Sequence, residues 1–128
     1  MRLLLDTHVA LWAIADSPLL SAKARRLILD AKNDIYVSAA SVWEIAIKHS
    51  LGREKMPISG NEAIDYFIEA GFDLLPVSAE HAARTETLPI HHADPFDRLL
   101  LAQALHEPMH LVTHDATLGK YDVTVLLV

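Results

Sequence analysis

Four acidic residues, Asp6, Glu44, Asp97 and Asp115, stand far apart in a chain of 128 residues, each beside an apolar segment that could carry it to a shared edge. Carboxylates are hard oxygen donors, and a group of them suits Mg²⁺ or Mn²⁺. Two carboxylates ~5 Å apart repel by about 3 kcal/mol at an effective dielectric near 20. Several such pairs would outweigh a domain's net stability of about 5–15 kcal/mol. Acids that converge must therefore share a cation or take up protons.

A cation held this way can bind a phosphodiester oxygen, lower the pKa of a water and neutralise charge during in-line displacement. Taken singly, each acid also has an ordinary explanation. Asp6 and Asp115 can cap the segments that follow them, and Glu44 can pair in solvent with Lys48 at i, i+4. Asp94 suits a helix N-cap and Asp97 the first turn after it. Only their convergence would separate the two readings.

Short apolar runs alternating with amphipathic stretches are the elements that must position these acids. Strands are expected at Arg2–Leu5, Asp34–Val37, Phe72–Val77, Met109–Val112 and Val123–Leu127. Helices are expected over Thr7–Ala15, Ser21–Lys32 (Leu27, Ile28 and Ala31 inward), Ser41–Leu51, Ser59–Ala70, Ala79–Thr87 and Pro95–His106, with at most a helical turn at Ala116–Gly119. Ser59 with Glu62 forms a capping box, Gly52 and Gly71 stop helices, and Asp94-Pro95 opens the last one. The order predicts an α/β fold of one domain over residues 1–128, a mainly parallel sheet covered on both faces. Ligands of such sheets lie beyond the carboxyl ends of the strands, where Asp6 and Asp115 fall.

Composition narrows the classes further. With 52% hydrophobic residues and no cysteine, the chain needs no disulfide, and neither a thiolate nucleophile nor a cysteine zinc site is available. A cytoplasmic, soluble protein is expected, because no signal-peptide pattern or membrane-length apolar run occurs. The net charge of −6 argues against nucleic-acid binding unless the acids surround a cation whose own charge dominates the local field.

The ordered set D-T-H at 6–8, S-V-W-E-I at 41–45, D-P-F-D-R at 94–98 and V-T-H-D at 112–115 resembles PIN-domain proteins. The match is to the VapC-type toxin ribonucleases of type II toxin–antitoxin pairs, in the subset with an H-x-D-P-F-D-R segment, here His92 to Arg98. The resemblance implies a three-layer α/β/α sandwich in which Asp6, Glu44, Asp97 and Asp115 hold one or two Mg²⁺ or Mn²⁺ ions, with Asp94 as a further candidate ligand. It also implies RNA hydrolysed by a metal-activated water, a cognate antitoxin whose tail blocks the site, and a homodimer. Thr7 and Thr113 match hydroxyl positions that orient a carboxylate, water or phosphate.

Among the remaining residues, Arg98 and His92 are candidate substrate contacts. Lys48, His49, Arg53 and Lys55 form a local basic stretch that either guides RNA or answers a helix dipole. No H-E-x-x-H pair supports zinc, and Trp12 and Trp43 read as core or interface residues. Two rival functions stand beside the ribonuclease. A phosphomonoesterase of the haloacid-dehalogenase type would need an aspartate where His8 stands, and a non-catalytic RNA-binding module would not need all four acids.

Overall fold

Leu3, Leu4 and Leu5 are each fully buried. In an extended segment successive side chains point to opposite faces, so this run can be buried throughout only if both faces of its sheet are covered. The computed structural model describes residues 1–89, 94–121 and 124–128. In it β1 (Arg2–Leu5), β2 (Asp34–Ser38), β3 (Asp73–Leu75), β4 (His110–Thr113) and β5 (Val125–Leu127) form one parallel sheet in the order β3-β2-β1-β4-β5.

The helices are α1 (Thr7–Ile14), α2 (Ala22–Leu29), α3 (Ala39–Ser50), α4 (Gly60–Glu69), α5 (Ala79–Arg84) and α6 (Pro95–His106), with 3₁₀ turns at Thr85–Thr87 and Leu118–Lys120. Leu3, Leu5 and Val37 pack with Val9, Ala24, Ile45 and Phe67 on one face. Leu4 and Leu111 pack with Leu100, Leu101, Ala104 and Leu118 on the other. The result is the expected three-layer arrangement, with β1 at its centre.

Several boundaries differ from the sequence reading, each for a local reason. Helix α3 begins at Ala39, because Ser38 supplies the cap by accepting from Ala40 N, and Ser41 is thereby drawn into the first turn. Helix α2 stops at Leu29, since Asp30 is extended and its side chain accepts from Lys32 N. Ala31 is exposed as a consequence, and Ala24 is the buried alanine. The helix expected over 79–87 tightens into a 3₁₀ turn after Arg84. The capping box of Ser59 and Glu62, the Asp94 cap with Pro95 in the first turn, and positive φ at Gly52 (133°) and Gly71 (84°) follow the sequence reading.

Strand β1 pairs with β2 on one side and β4 on the other, with Leu5 in register with both Val37 and Val112. The chain builds outward from β1 through β2 to β3, then returns to lay β4 on β1's opposite edge. Such a reversal opens a crevice beyond the carboxyl ends of the two strands. No helix among the described residues is long and apolar enough to cross a membrane.

Candidate active site

Asp6 leaves β1 at that crevice and is only 5% exposed. It is the N-cap of α1, accepting from Val9 N on Oδ1 at 2.8 Å, so the capping explanation is correct as far as it goes. The other oxygen, Oδ2, accepts from the buried Thr113 hydroxyl at the end of β4. Thr113 Oγ1 in turn accepts from Asp115 N at 3.0 Å. One threonine thus ties together the exits of β1 and β4. Asp115 Oδ1 also accepts from Thr117 N at 2.9 Å, which closes the turn that follows.

Burial pushes the Asp6 carboxyl above its usual range, and the nearby Asp115 charge adds to the effect. The bonds from Thr113 and Val9 and the charge of His8 oppose it without overcoming it. A desolvated anion with a second anion beside it is a place where a cation is stabilised.

Glu44 is 8% exposed, so it is not the solvated glutamate of the ordinary reading, although its pairing with Lys48 is present at 2.7 Å. Its Oε1 lies 2.9 Å from Thr7 Oγ1, which is also 2.9 Å from Ser41 Oγ. An ionised carboxylate can only accept, so the Thr7 proton points to Glu44 and Ser41 is the hydroxyl that donates to Thr7. Thr7 directly follows Asp6, and the polar face of α3 is in this way fastened to the start of α1. Ser41 is the site residue whose role the sequence did not disclose; its place one helical turn before Glu44 was the available signal.

Asp97 lies in the first turn of α6, partly buried, with its N–H on Asp94 Oδ1 at 3.2 Å. Phe96 packs edge-on against Trp43 of α3 at 5.3 Å between ring centroids. That contact brings the start of α6 to the middle of α3. Asp94 is exposed and caps α6 through bonds from both Phe96 N and Asp97 N.

The supporting residues divide. Thr7 and Thr113 each donate to a carboxylate. Arg98 donates to the carbonyls of Thr85 and Pro89 at 2.9 and 3.1 Å, and lies 3.4 Å from the Tyr121 hydroxyl. It clamps the 3₁₀ turn to α6. In the basic stretch, Lys48 is held by Glu44 and His49 Nδ1 is bonded to Met56 O at 2.9 Å. His92 lies outside the described residues.

The donor set suits a hard divalent cation. All four acids offer oxygen, and Asp6 is buried with an unfavourable charge. Among the described residues, however, the one trio of ligand-type side chains whose donor atoms all lie within 4.8 Å is His81, His106 and Glu107. Asp6 is tied to the Asp115 backbone through Thr113 and is followed by Thr7, which holds Glu44, while Asp97 sits in the first turn of α6; among the described residues these acids do not close into a tight triad. The histidine trio has a different explanation. His81 Nδ1 accepts from Ser78 N at 2.9 Å in a capping box, so its proton is on Nε2 and is donated to Glu107 at 2.6 Å. A metal at that nitrogen would have to displace the proton and open the cap.

A groove of about 660 Å³ is lined by His8, which follows Asp6 by two residues, by Lys48, the partner of Glu44, and by Trp12, Lys55, Leu11, Met56 and Ile58.

The family model of the PIN domain matches residues 3–123. No curated protein matches the chain in sequence. Among solved structures, a chain of VapBC2 from Rickettsia felis, bound to a promoter DNA fragment, superposes with a TM-score of 0.73 at 20% identity, covering 100% of this chain and 98% of that one. A chain of DNA-bound VapBC from Salmonella typhimurium gives 0.69 at 16% identity, covering 100% and 97%. FitAcB from Neisseria gonorrhoeae gives 0.63 at 21% identity, covering 97% and 96%.

Proposed function

Because the chain belongs to the PIN-domain family, we propose that it is a divalent-metal-dependent endoribonuclease and the toxin of a toxin–antitoxin pair. The observation that carries the reading is the hydroxyl-bridged arrangement of acids at the β1/β4 crevice. Thr113 joins Asp6 to the Asp115 backbone, while Thr7 fastens Glu44 beside them. Asp6, Glu44, Asp97 and Asp115 would hold one or two Mg²⁺ or Mn²⁺ ions, with Asp94 at the margin because its side chain caps α6. A bound divalent ion supplies a water of lowered pKa and neutralises charge at the phosphate.

The chain's own groups set the geometry. Thr113 fixes the rotamer of Asp6, and Thr7 turns one Glu44 oxygen inward while Lys48 holds the other. Groups locked in this way lose little freedom when substrate arrives. His92 and Arg98 stand as substrate contacts of lower rank, Arg98 because its guanidinium already serves backbone carbonyls.

The similar structures are themselves toxin–antitoxin complexes, VapBC2 and VapBC among them. A cognate antitoxin is therefore part of the proposal. Its tail would lay apolar side chains along Leu11, Met56 and Ile58 and direct an arginine to the carboxylates. Homodimerisation is assigned to α3 and its C-cap, where Trp43, Ile47 and Leu51 are 60%, 37% and 66% exposed at i, i+4 and i+8. The site of action is the cytoplasm.

The test is RNA cleavage by the purified chain with Mn²⁺, with EDTA, and as Asp6→Asn or Asp97→Asn. Cleavage is expected only in the first case, with the circular dichroism spectrum intact in all. Cleavage that survives EDTA would overturn the mechanism. Equal RNA binding with and without Mg²⁺, and no cleavage in either, would favour a non-catalytic RNA-binding module.

A further inference from the structure

Three rings the mechanism does not use stand beside the acids. His8 and Trp12 are one helical turn apart on α1, with ring centroids 6.1 Å apart and planes tilted by 37°. The His114 ring meets Trp12 edge-on at 5.7 Å and 71°. His8 follows Asp6 by two residues, and its charge acts on that carboxyl. His114 lies between Thr113 and Asp115, the two residues that close the site on the β4 side. Both histidines are exposed, so burial of apolar surface does not explain them.

The His114 ring is fixed. Its Nδ1 lies 2.6 Å from Val128 O, and a carbonyl can only accept, so Nδ1 carries the proton. Nε2, on the other side of the ring, has no hydrogen-bond partner among the described residues. Trp12 backs onto the core and also borders the groove, with Lys48 and Lys55 at its rim. Aromatic surface, an oriented ring nitrogen and nearby ammonium groups are the features that hold single-stranded nucleic acid.

We propose that His8, Trp12 and His114 form a platform for a nucleobase of the RNA adjoining the scissile phosphate, with His114 Nε2 hydrogen-bonded to that nucleotide. This rests on the ribonuclease reading and names residues that would set its sequence preference. The rim takes the nucleotide, and the apolar depth of the groove is left to the protein partner.

The chain has two tryptophans, so W43F leaves Trp12 as the one fluorescent reporter, and D97N in the same chain prevents turnover. A short mixed-sequence single-stranded RNA, labelled for anisotropy, is titrated with Mg²⁺ present. Trp12 emission should be quenched along the same isotherm that anisotropy reports. W12L should weaken binding by about 5- to 150-fold, the range for loss of a stacking aromatic. H8A and H114A, at exposed positions that do not endanger folding, should each weaken it at least about threefold with unchanged melting. RNA that binds without altering Trp12 emission, and equally well to H8A and H114A, would overturn the platform. So would quenching by an antitoxin-derived peptide but not by RNA, which would give the rim to the protein partner. If the wild-type chain cuts RNA while Trp12 stays silent, the platform alone falls. If it neither binds nor cuts RNA, the ribonuclease reading falls as well.

Discussion

Asp6→Asn should stabilise the metal-free protein while removing its activity. The reasoning starts from the Asp6 carboxyl, which burial and Asp115 push above its ordinary value. The folded state therefore holds this proton more tightly than the unfolded chain does. Ionised Asp6 then destabilises the fold, fully at pH values above the raised folded pKa and not at all below the ordinary carboxylate range. Asparagine removes the charge. Its oxygen can still accept from Val9 N, and Thr113 can turn its hydroxyl to accept from the amide, so both contacts of the wild type survive. As caps, Asn and Asp are nearly equivalent.

The cost relieved is chiefly that of holding a charge out of water, with the Asp115 repulsion a smaller part, and is about 3 kcal/mol on the scale of a buried, incompletely compensated polar group. Exchanging charge-assisted hydrogen bonds for neutral ones returns about 1–2 kcal/mol of that. A net gain of about 1–2 kcal/mol corresponds to a rise in Tm of roughly 3–10 °C for a chain of this size. The assay is thermal unfolding in EDTA from pH 4.5 to 7.5. The advantage of the variant should be largest at the high end and shrink as pH falls towards the ordinary carboxylate range. Saturating Mn²⁺ should stabilise the wild type preferentially. A variant less stable than wild type in EDTA at pH 7.5 would refute the reasoning, since ionised Asp6 would then be a net stabilising cap.

Thr113→Val leaves Asp6 Oδ2 and Asp115 N without their shared partner, so both stability and cleavage should fall, the former by about 1–3 kcal/mol in denaturant titration. Thr7→Val removes the buried hydroxyl that joins Glu44 and Ser41, so it should lower kcat at least about tenfold in an RNA cleavage assay and stability by about 1–3 kcal/mol in denaturant titration. Leu51→Glu places a charge in the exposed α3 stripe and should shift the mass measured by light scattering from dimer to monomer. His81→Ala removes the capping box at Ser78 and the bond to Glu107. It should destabilise the fold by about 1–3 kcal/mol while leaving Mn²⁺ affinity unchanged in calorimetry.

The legible parts of the sequence were those in which one local rule acts alone. Asp94 followed by Pro95, and Ser59 followed by Glu62, fixed helix starts because a cap depends on a few neighbouring atoms. The unbroken Leu3–Leu5 run implied burial on both faces and hence a covered parallel sheet. Helix α3 starts two residues before the expected Ser41, because Ser38 at the exit of β2 supplies the cap and the apolar spacing within the helix does not show where β2 ends. In the same way the spacing pairs Glu44 with Lys48 at i, i+4, but whether that pair meets solvent or Thr7 depends on how α3 packs. The structural role of Arg98 was hidden because its carbonyl partners, Thr85 and Pro89, lie on a turn whose course no nearby pattern specifies. His81 escaped notice since histidine rarely takes the third position of a capping box.

Calorimetric titration of the metal-free chain with Mn²⁺, repeated on D6N, E44Q, D97N and D115N and on His106→Ala, addresses the shared cation most directly. Each acidic variant should bind at least about tenfold more weakly than wild type, and His106→Ala should bind equally well. Undiminished binding by D6N and E44Q together with its loss in His106→Ala would place the ion at the far end of α6 and contradict the account.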